Sequence, residues 1–285
     1  MGVDGIKAAP ASQVRRSQQT MKAAWVNDIH LEFLDERSIT EFFDELKATD
    51  ADCILVGGDI GQANTVCDHL RNMELSLQCP VYFVLGNHDF YHGSIADVRT
   101  SITRLVSSSG LLRWLSISGI VKLTAKTCLI GHDGWGDGRY GDFHGSEVAL
   151  NDFLFIQELS GLPKNALLTK LQRLGEEAGR HFQTLLPQAL DMCDHIVVLT
   201  HVPPFLEAAW YDGRYCDDNW LPFFSCKAVG EVLKDTMLHY VHKRMTVLCG
   251  HTHSGGSSQI SANLTSFTGP ARYGHPRIQR LFEWE

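Results

Sequence analysis

Short apolar runs of strand length alternate with amphipathic segments of helix length in the first half of this 285-residue chain. The predicted strands are residues 23–26, 53–56 and 81–85, and the predicted helices are residues 38–47, 65–77 and 95–106. This alternation favours parallel strands joined by right-handed crossovers. In the less regular second half, short strands are predicted within 113–130, at 196–199 and 246–249 and after 258, and helices within 148–192 and 224–240. We therefore expect one α/β domain, residues 21–285, after a polar leader, residues 1–20, that is expected to be disordered.

Polar residues of metal-binding type follow five of the predicted strands. The five segments are Asp28-Ile29-His30, Gly58-Asp59, Gly86-Asn87-His88-Asp89, Thr200-His201 and Gly250-His251-Thr252-His253. Any one of them has an ordinary explanation as a turn, a helix cap or a hydrogen-bonded core histidine. Ligands in α/β sheets bind just outside the carboxyl ends of the strands, so the five segments are expected to converge on one crevice.

The side chains in these segments offer imidazole nitrogens, carboxylates and one amide oxygen, and no thiolate. Such a donor set suits Mn²⁺, Fe²⁺ or Zn²⁺. Asp28 and His30 are two residues apart, so at an extended strand end both side chains point to the same side and can hold one ion. Asp59 has two carboxylate oxygens and can bridge to a second ion about 3.5 to 4 Å away. The net positive charge of such a centre would attract a phosphate dianion.

The succession of the five segments resembles the calcineurin-like metallophosphoesterase superfamily and extends over residues 28–253. The resemblance implies a four-layer α-β-β-α sandwich, in which two mixed sheets pack together with helices outside. It also implies two divalent metal ions (Mn, Fe or Zn) as cofactors. One ion would be held by Asp28, His30, Asp59 and His253, and the other by Asp59, Asn87, His201 and His251.

The same resemblance implies how the catalytic groups would act. The two ions would share a hydroxide that attacks the phosphorus of an ester, so no serine or cysteine nucleophile is needed. His88 would lie beside the leaving oxygen as general acid, a role that contributes about 10²- to 10⁴-fold in rate. Members that act on phosphoproteins often carry an Asp three residues after the bridging Asp, followed by Arg-Gly, whereas this chain has Gln62 there and no Arg. This departure disfavours a protein phosphatase and leaves Asp89 or a backbone carbonyl as candidates for orienting His88.

Two loops are predicted to select the substrate. Residues 131–145 are rich in glycine, which permits close approach of the backbone to a ligand, and Asp133 and Arg139 are the candidate contacts there. An ion pair between Arg139 and a neighbouring aspartate is the competing explanation. Residues 203–226 include seven aromatic side chains within twenty residues, which either grip an apolar or planar group or pack as a lid on their own core. His92 is a further candidate contact.

Charge and hydropathy limit the expected partners. Acidic residues outnumber basic ones 33 to 25, and no run of Lys and Arg exceeds two residues. Nucleic acid is therefore an unfavourable partner, because its binding depends on clustered cations. No apolar run approaches the roughly 20 residues of a membrane span, and the first residues carry no recognisable export or anchoring signal, so we expect a cytoplasmic protein without membrane contact.

The eight cysteines include no Cys-x-x-Cys pair, and reduced thiols are expected.

Together these observations favour a dinuclear metal-dependent hydrolase of small phosphodiesters or phosphomonoesters. One alternative is a protein phosphatase or a nuclease with the same metal centre. The other is a scaffold that keeps the fold without catalysis, which the presence of every expected ligand and of His88 disfavours.

Overall fold

The computed structural model describes residues 20–285, so the expected leader, residues 1–20, lies outside the described residues except for Thr20. The strands are β1 (Met21–Val26), β2 (Cys53–Gly57), β3 (Val81–Val84), β4 (Leu112–Trp114), β5 (Val121–Lys122), β6 (Thr127–His132), β7 (His195–Thr200), β8 (Trp210–Tyr211), β9 (Arg214–Tyr215), β10 (Arg244–Cys249), β11 (Gly256–Ser261), β12 (Leu264–Thr268) and β13 (Arg280–Trp284). The α-helices are α1 (Glu36–Lys47), α2 (Val66–Leu77), α3 (Ile95–Ser108), α4 (Leu115–Ser118), α5 (Asp152–Phe155), α6 (Lys164–Met192), α7 (Leu221–Phe224) and α8 (Lys227–His239). Short 3₁₀ helices lie at Leu31–Phe33, His88–Phe90 and Leu206–Ala208.

Most strands belong to two mixed sheets. The first has the order β13-β1-β2-β3-β4, in which β1 to β4 are parallel and β13 is antiparallel to β1. The second has the order β11-β12-β10-β7-β6-β5, in which β12, β10, β7 and β6 are parallel and the two outer strands are antiparallel to their neighbours. Parallel strands end at a common edge, so the loops after β1, β2 and β3 lie near one another, as do those after β7 and β10.

Alternate residues of the central strands enter different apolar layers. Ala24 of β1 packs in a cluster with the buried side chains of α1, α2 and α3, whereas Trp25 packs in a cluster shared with the second sheet. In β7, Val198 faces the α6 and α8 side and Leu199 faces the first sheet. Successive side chains of a strand point to opposite faces, so each sheet packs helices on one face and the other sheet on the other. This is the four-layer α-β-β-α sandwich, and the predicted fold class is confirmed.

Helix α1 shows how local sequence sets an element and its buried face. Its N-cap is Asp35, whose carboxylate accepts a hydrogen bond from the Ser38 backbone N–H at 2.8 Å. Such a cap contributes about 1 kcal/mol to helix stability. Its buried face against the first sheet consists of Phe42, Phe43 and Leu46. Leu46 lies four residues after Phe42 and three after Phe43, so all three side chains lie on one side of the helix.

The irregular second half differs from the sequence prediction in two places. The region 113–130, predicted as strands alone, contains the short helix α4 between β4 and β5. The region 148–192, predicted as mostly helix, is divided into α5 and α6 by non-helical residues that include Gly161, with φ +69°, and Pro163. These two residues disfavour a continuous helix, so a new helix begins after Pro163. Although α6 is 29 residues long, neither it nor any other helix in residues 20–285 is long and apolar enough to cross a membrane.

Cys128 of β6 and Cys193, the residue after α6, form a disulfide. The expectation of reduced thiols is therefore wrong for this pair, while the other six cysteines are free. The two residues are separated by 65 positions in the sequence. Only the packing of α6 against the second sheet brings them together, so no local spacing could indicate the bond.

Candidate metal centre

Several residues at the carboxyl edge of the sheets have a left-handed backbone. The φ angles are 49° at Asp28, 42° at His30, 50° at Asp59, 70° at His251 and 57° at His253. Such values are uncommon for residues other than glycine and cost on the order of 1–3 kcal/mol each. Strain of this kind persists only where the surrounding structure enforces it, and it concentrates at functional sites.

Hydrogen bonds between the loops hold the acidic residues of this edge. The Asp59 carboxylate accepts the backbone N–H of His88 at 2.9 Å, and the Asp28 carboxylate accepts that of His251 at 2.9 Å. Gly86 lies so close that a Cβ there would collide with the Asp59 carboxylate. The loops after β1, β2, β3 and β10 therefore form one interlocked unit.

Four donors form a first set, Asp28, His30, Asp59 and His253, which we call the His30 group. Nε2 of His30 lies 3.1 Å from Nε2 of His253 and 3.6 Å from Oδ2 of Asp59. Oδ1 of Asp28 lies 3.8 Å from Nε2 of His253. One ligand atom from each residue lies within 4.8 Å of all the others. Donors about 2.0–2.2 Å from a tetrahedral ion are about 3.4 Å apart, so these distances fit a central cation.

Asp59 also belongs to a second set with Asn87, His201 and His251, which we call the His201 group. Oδ1 of Asn87 lies 3.0 Å from Nε2 of His201 and 3.0 Å from Nδ1 of His251. The two imidazole nitrogens are 3.2 Å apart, and Oδ1 of Asp59 lies 3.5 Å from Nε2 of His201. Asp59 thus presents one oxygen to each group.

Hydrogen bonds on the far side of each ring fix the imidazole tautomers in the His201 group. Nδ1 of His201 lies 2.9 Å from the Gly57 carbonyl, and Nε2 of His251 lies 3.2 Å from the Phe223 carbonyl. A carbonyl only accepts, so these two nitrogens carry the protons and the other two present lone pairs. The lone pairs converge on Oδ1 of Asn87, a third acceptor. Three acceptors with no hydrogen between them form a site for a cation.

The Asn87 amide is oriented by groups behind it. Its Nδ2 donates to Oδ1 of Asp152 at 2.8 Å, and the Tyr91 hydroxyl donates to the same oxygen at 2.7 Å. Asp152 is buried, and burial raises its pKa. With Nδ2 held by this carboxylate, Oδ1 of Asn87 must face the two imidazoles.

Burial keeps three imidazoles of the centre, those of His201, His251 and His253, neutral near pH 7. It lowers the pKa of His201 to about 4. Burial and the neighbouring His201 lower the pKa of His251 to about 3, and burial lowers that of His253. Only a neutral imidazole binds a metal ion, so these residues need no deprotonation to act as ligands.

The buried carboxylates are crowded. Burial and then the nearby charges of Asp28 and Asp89 raise the pKa of Asp59 well above its ordinary value. Burial opposes ionisation of Asp28 as well, but the surrounding imidazoles, His201 first, outweigh it and lower its pKa. Positive charge between these groups would stabilise both anions. The donor types, their spacing and this electrostatic demand together fit two divalent cations.

His88 lies next to the His30 group, with its ring stacked on Tyr91 at a centroid distance of 4.1 Å. Its Nδ1 is 3.9 Å from Oε1 of Glu32, and the same oxygen lies 3.4 Å from Nδ1 of His30. Burial opposes the Glu32 charge, but the two imidazoles outweigh it and lower the pKa of Glu32 to about 2. On the other side of the ring, Nε2 lies 3.5 Å from the Tyr273 hydroxyl, and both residues line a pocket. Glu32 is therefore the carboxylate that faces His88.

Asp89 does not orient His88, contrary to one of the two candidates from the sequence. Its Oδ1 accepts the backbone N–H groups of Ile60 and Gly61, and its Oδ2 accepts that of Gly86. The side chain is fully buried, and burial raises its pKa to about 8. Asp89 joins the loops after β2 and β3, so its position indicates a structural role rather than the predicted catalytic one.

A pocket of about 290 Å³ opens beside the two groups. Asp59, Asn87, His88, His251 and His253 lie along one part of it. Its other lining residues come from the segment 149–152, from the aromatic-rich segment and from the loop before β13, and include Asn151, Tyr211, Trp220, Phe224 and Tyr273. The segment 203–226 thus lines the pocket with three of its aromatic side chains, while others, such as Phe205 and Phe223, are buried in the core.

The three candidate substrate contacts lie elsewhere. Asp133 is buried and accepts hydrogen bonds from the Leu85 N–H, the Trp114 ring and the Ser116 hydroxyl. Arg139 forms ion pairs with Asp137 and Glu176, so the competing explanation describes its position. His92 is exposed and packs on Phe155. None of the three lines the pocket.

Residues 131–145 also do not line the pocket. Instead, the backbone N–H of Gly138 donates to the Pro222 carbonyl, and that of Asp137 donates to the Ser225 carbonyl. This loop therefore supports the aromatic-rich segment from behind, and its glycines permit that close packing.

Sequence reasoning missed Glu32, Asp152 and Tyr273. Glu32 follows His30 at the two-residue spacing of Asp28 and His30, and this repeat was an available signal. Asp152 follows Asn151 between the apolar runs 148–150 and 153–156, and Tyr273 lies in a loop 185 residues after His88. Neither position had a local signal.

The chain is similar to known proteins in sequence and in fold. A family model described as calcineurin-like phosphoesterase matches residues 21–255. Among curated proteins, none matches the sequence. The structure is similar to that of phosphopantetheinyl hydrolase from Mycobacterium tuberculosis, with a TM-score of 0.65 and 12% identity over 90% of this chain and 91% of that one. It is also similar to a dimetal phosphatase from Danio rerio, with a TM-score of 0.56 and 14% identity over 88% of this chain and 87% of that one. At such identities these two likenesses concern the fold.

Proposed function

The chain belongs to the calcineurin-like phosphoesterase family and is a metal-dependent phosphoric ester hydrolase, and from this premise we propose that it hydrolyses phosphodiesters or phosphomonoesters of small molecules. The observation that carries the proposal is the pocket of about 290 Å³ beside the two donor groups. A volume near the lower end for small-molecule sites suits a compact ester rather than a folded protein or a polymer.

The two donor groups are proposed to hold the two cations. The His30 group would bind one divalent ion and the His201 group the other, with Asp59 between them. When bound, the ions would supply the positive charge that draws in the phosphoryl oxygens and activates the attacking water. The chain provides neutral imidazoles, two buried carboxylates and one amide oxygen, which Asp152 orients.

His88 is proposed to donate a proton to the leaving oxygen. Its Nε2 lies 3.5 Å from the hydroxyl of Tyr273, another residue of the pocket lining, and its Nδ1 lies 3.9 Å from Oε1 of Glu32, so Nε2 is the nitrogen proposed to serve the substrate. Stacking on Tyr91 fixes the plane of the His88 ring. Such proton transfer would matter most for alkoxide leaving groups, which are poor without protonation.

The alternative activities require features that the pocket lacks. A nuclease needs cations along a groove, yet no Lys or Arg is among the lining residues in the described part of the chain. A protein phosphatase needs room for a peptide on both sides of the phosphorylated residue, whereas aromatic side chains border this pocket. A scaffold without catalysis would have no need for His88, which lines the pocket beside the donor groups without belonging to either.

The test is turnover by the purified protein loaded with Mn²⁺. We expect it to hydrolyse p-nitrophenyl phosphate, bis-p-nitrophenyl phosphate or both, to lose activity after dialysis against EDTA, and to regain it with Mn²⁺. A phosphoserine peptide and single-stranded DNA serve as comparison substrates. Cleavage of the peptide or the DNA alone would overturn the proposal, and bound metal without turnover of any ester would favour the scaffold.

A further inference from the structure

One side of the pocket is formed by Tyr211, Trp220 and Phe224, which we call the aromatic wall. The ring centroids of Tyr211 and Trp220 are 4.5 Å apart, and those of Trp220 and Phe224 are 5.0 Å apart, each pair inclined by 33°. Trp220 and Tyr211 remain half-buried, so both keep accessible ring surface. The aromatic wall thus borders the pocket with partly accessible aromatic rings.

The aromatic wall is continuous with the donor groups. Phe224 contacts His251 edge-on, with centroids 5.1 Å apart, and the Phe223 carbonyl binds Nε2 of the same imidazole. A phosphoryl group held at the His201 group would therefore have its organic substituent beside the aromatic wall.

The charged groups of the pocket restrict that substituent further. Among the described residues no Lys or Arg lines the pocket. Beyond the two donor groups, a second anionic group on the substrate, such as another phosphate or a carboxylate, would therefore find no cationic side chain to pair with. An uncharged ring would instead gain stacking and apolar contact.

We propose that the aromatic wall binds the organic part of the substrate, and that this part carries an uncharged planar ring and no second anionic group. The inference rests on the proposed function and narrows its substrate class. Trp220 is the central specificity residue, because its ring contacts both other members of the aromatic wall.

The experiment compares two alkyl esters whose leaving groups are similarly basic, 2-phenylethyl phosphate and n-butyl phosphate. We expect the Mn²⁺-loaded protein to prefer the phenylethyl ester by about 3- to 10-fold in kcat/KM, the range for one aromatic pair. Trp220→Leu keeps apolar volume and removes the ring, and is expected to bring the ratio close to 1. The matched control is Tyr215→Leu, because Tyr215 is 55% exposed, lies in the same hairpin as Tyr211 and does not line the pocket.

Binding of the corresponding phosphonates, measured by calorimetry on the metal-loaded protein, separates the two proposals because a P–C bond is not hydrolysed. Tighter binding of phenylethylphosphonate, lost in Trp220→Leu and kept in Tyr215→Leu, supports the stacking site even where neither ester is turned over. Equal affinity for both phosphonates, or a preference that Trp220→Leu leaves unchanged, overturns it. Turnover of both esters at equal rates would overturn the stacking site and leave the proposed function intact.

Discussion

The two donor groups of the centre are held in different ways. In the His201 group, both imidazoles bind backbone carbonyls, and Asn87 is fixed by Asp152. In the His30 group, Nδ1 of His30 faces the side chain of Glu32, and the His253 side chain is 24% exposed and packs on Tyr273. The two imidazoles of the His201 group are thus held by main-chain carbonyls, whereas those of the His30 group contact side chains.

This contrast bears on metal binding. Main-chain contacts fix ring direction before an ion arrives, so the His201 group loses little freedom on binding. In the His30 group, His253 is partly exposed, and the Glu32 side chain that contacts His30 also lies near His88. We therefore expect the tighter ion in the His201 group and the more exchangeable ion in the His30 group, next to His88.

The largest effect is expected from Asp59→Asn, because Asp59 alone serves both groups. The variant should lose both ions, with metal affinity reduced by more than about 100-fold, the upper range for an outer partner, and with no measurable turnover. Metal content by mass spectrometry and p-nitrophenyl phosphate turnover check this. Burial and neighbouring charges disfavour the ionised form of Asp59 and so raise its pKa. Without metal, the variant with a neutral amide should therefore be at least as stable as the metal-free parent. Retention of one ion with normal turnover would show that Asp59 is not shared.

The next largest effect is expected from His88→Asn. Turnover of n-butyl phosphate should fall by about 10²- to 10⁴-fold, while turnover of p-nitrophenyl phosphate, whose leaving group needs less protonation, falls less. Both ions should remain bound, since His88 belongs to neither donor group. His92→Asn is the control, because His92 is exposed and outside the pocket. Equal losses on both esters would contradict the proton-donor role.

A matched pair of variants separates the two groups. Asp152→Asn acts on Asn87, and Glu32→Gln acts on His30, each keeping side-chain size. Each change should weaken one ion by about 10-fold, the lower range for an outer partner, with the tighter ion affected by Asp152→Asn and the weaker by Glu32→Gln. Calorimetric titration with Mn²⁺ resolves the two sites. If both variants weakened binding of the same ion, the proposed difference between the His201 group and the His30 group would be wrong.

The smallest effect is expected in the pH dependence of the metal-free protein. Burial lowers the pKa of His201 to about 4, below the ordinary value of about 6.5. Between these values the unfolded chain binds the extra proton, so the free energy of unfolding falls as the pH falls through this window. His201→Asn should therefore lose less stability than the parent between pH 6.5 and 4.5.

His253→Asn provides the matched comparison, because the His253 side chain is partly exposed and its pKa is also lowered by burial. Its effect on acid sensitivity should be smaller than that of His201→Asn. Asp89, whose pKa is raised to about 8, acts in the opposite direction but is common to all three proteins. Urea unfolding at both pH values measures the free energy of unfolding of each protein. A larger effect of His253→Asn than of His201→Asn would contradict the prediction.

The sequence was most informative where the chemistry follows a strand directly. The four donors Asp28, His30, Asp59 and Asn87 could be placed near one another because parallel strands share an edge. The glycine-rich loop predicts ligand contact for Arg139, whereas the structure places this side chain in ion pairs with Asp137 and Glu176. Its glycines serve packing against the aromatic-rich segment instead, and sequence alone does not distinguish the two uses.

The α/β alternation, the types of donor and the edge at which they gather could be read from the chain, because the side-chain period is local and ligands bind beyond the carboxyl ends of strands. Tertiary packing alone settled which carboxylate faces His88, what orients Asn87 and which aromatic rings line the pocket. Glu32, Asp152 and Tyr273 reach the site through contacts between segments distant in the chain. Such contacts depend on how the layers and loops pack together, which no local pattern of residues encodes.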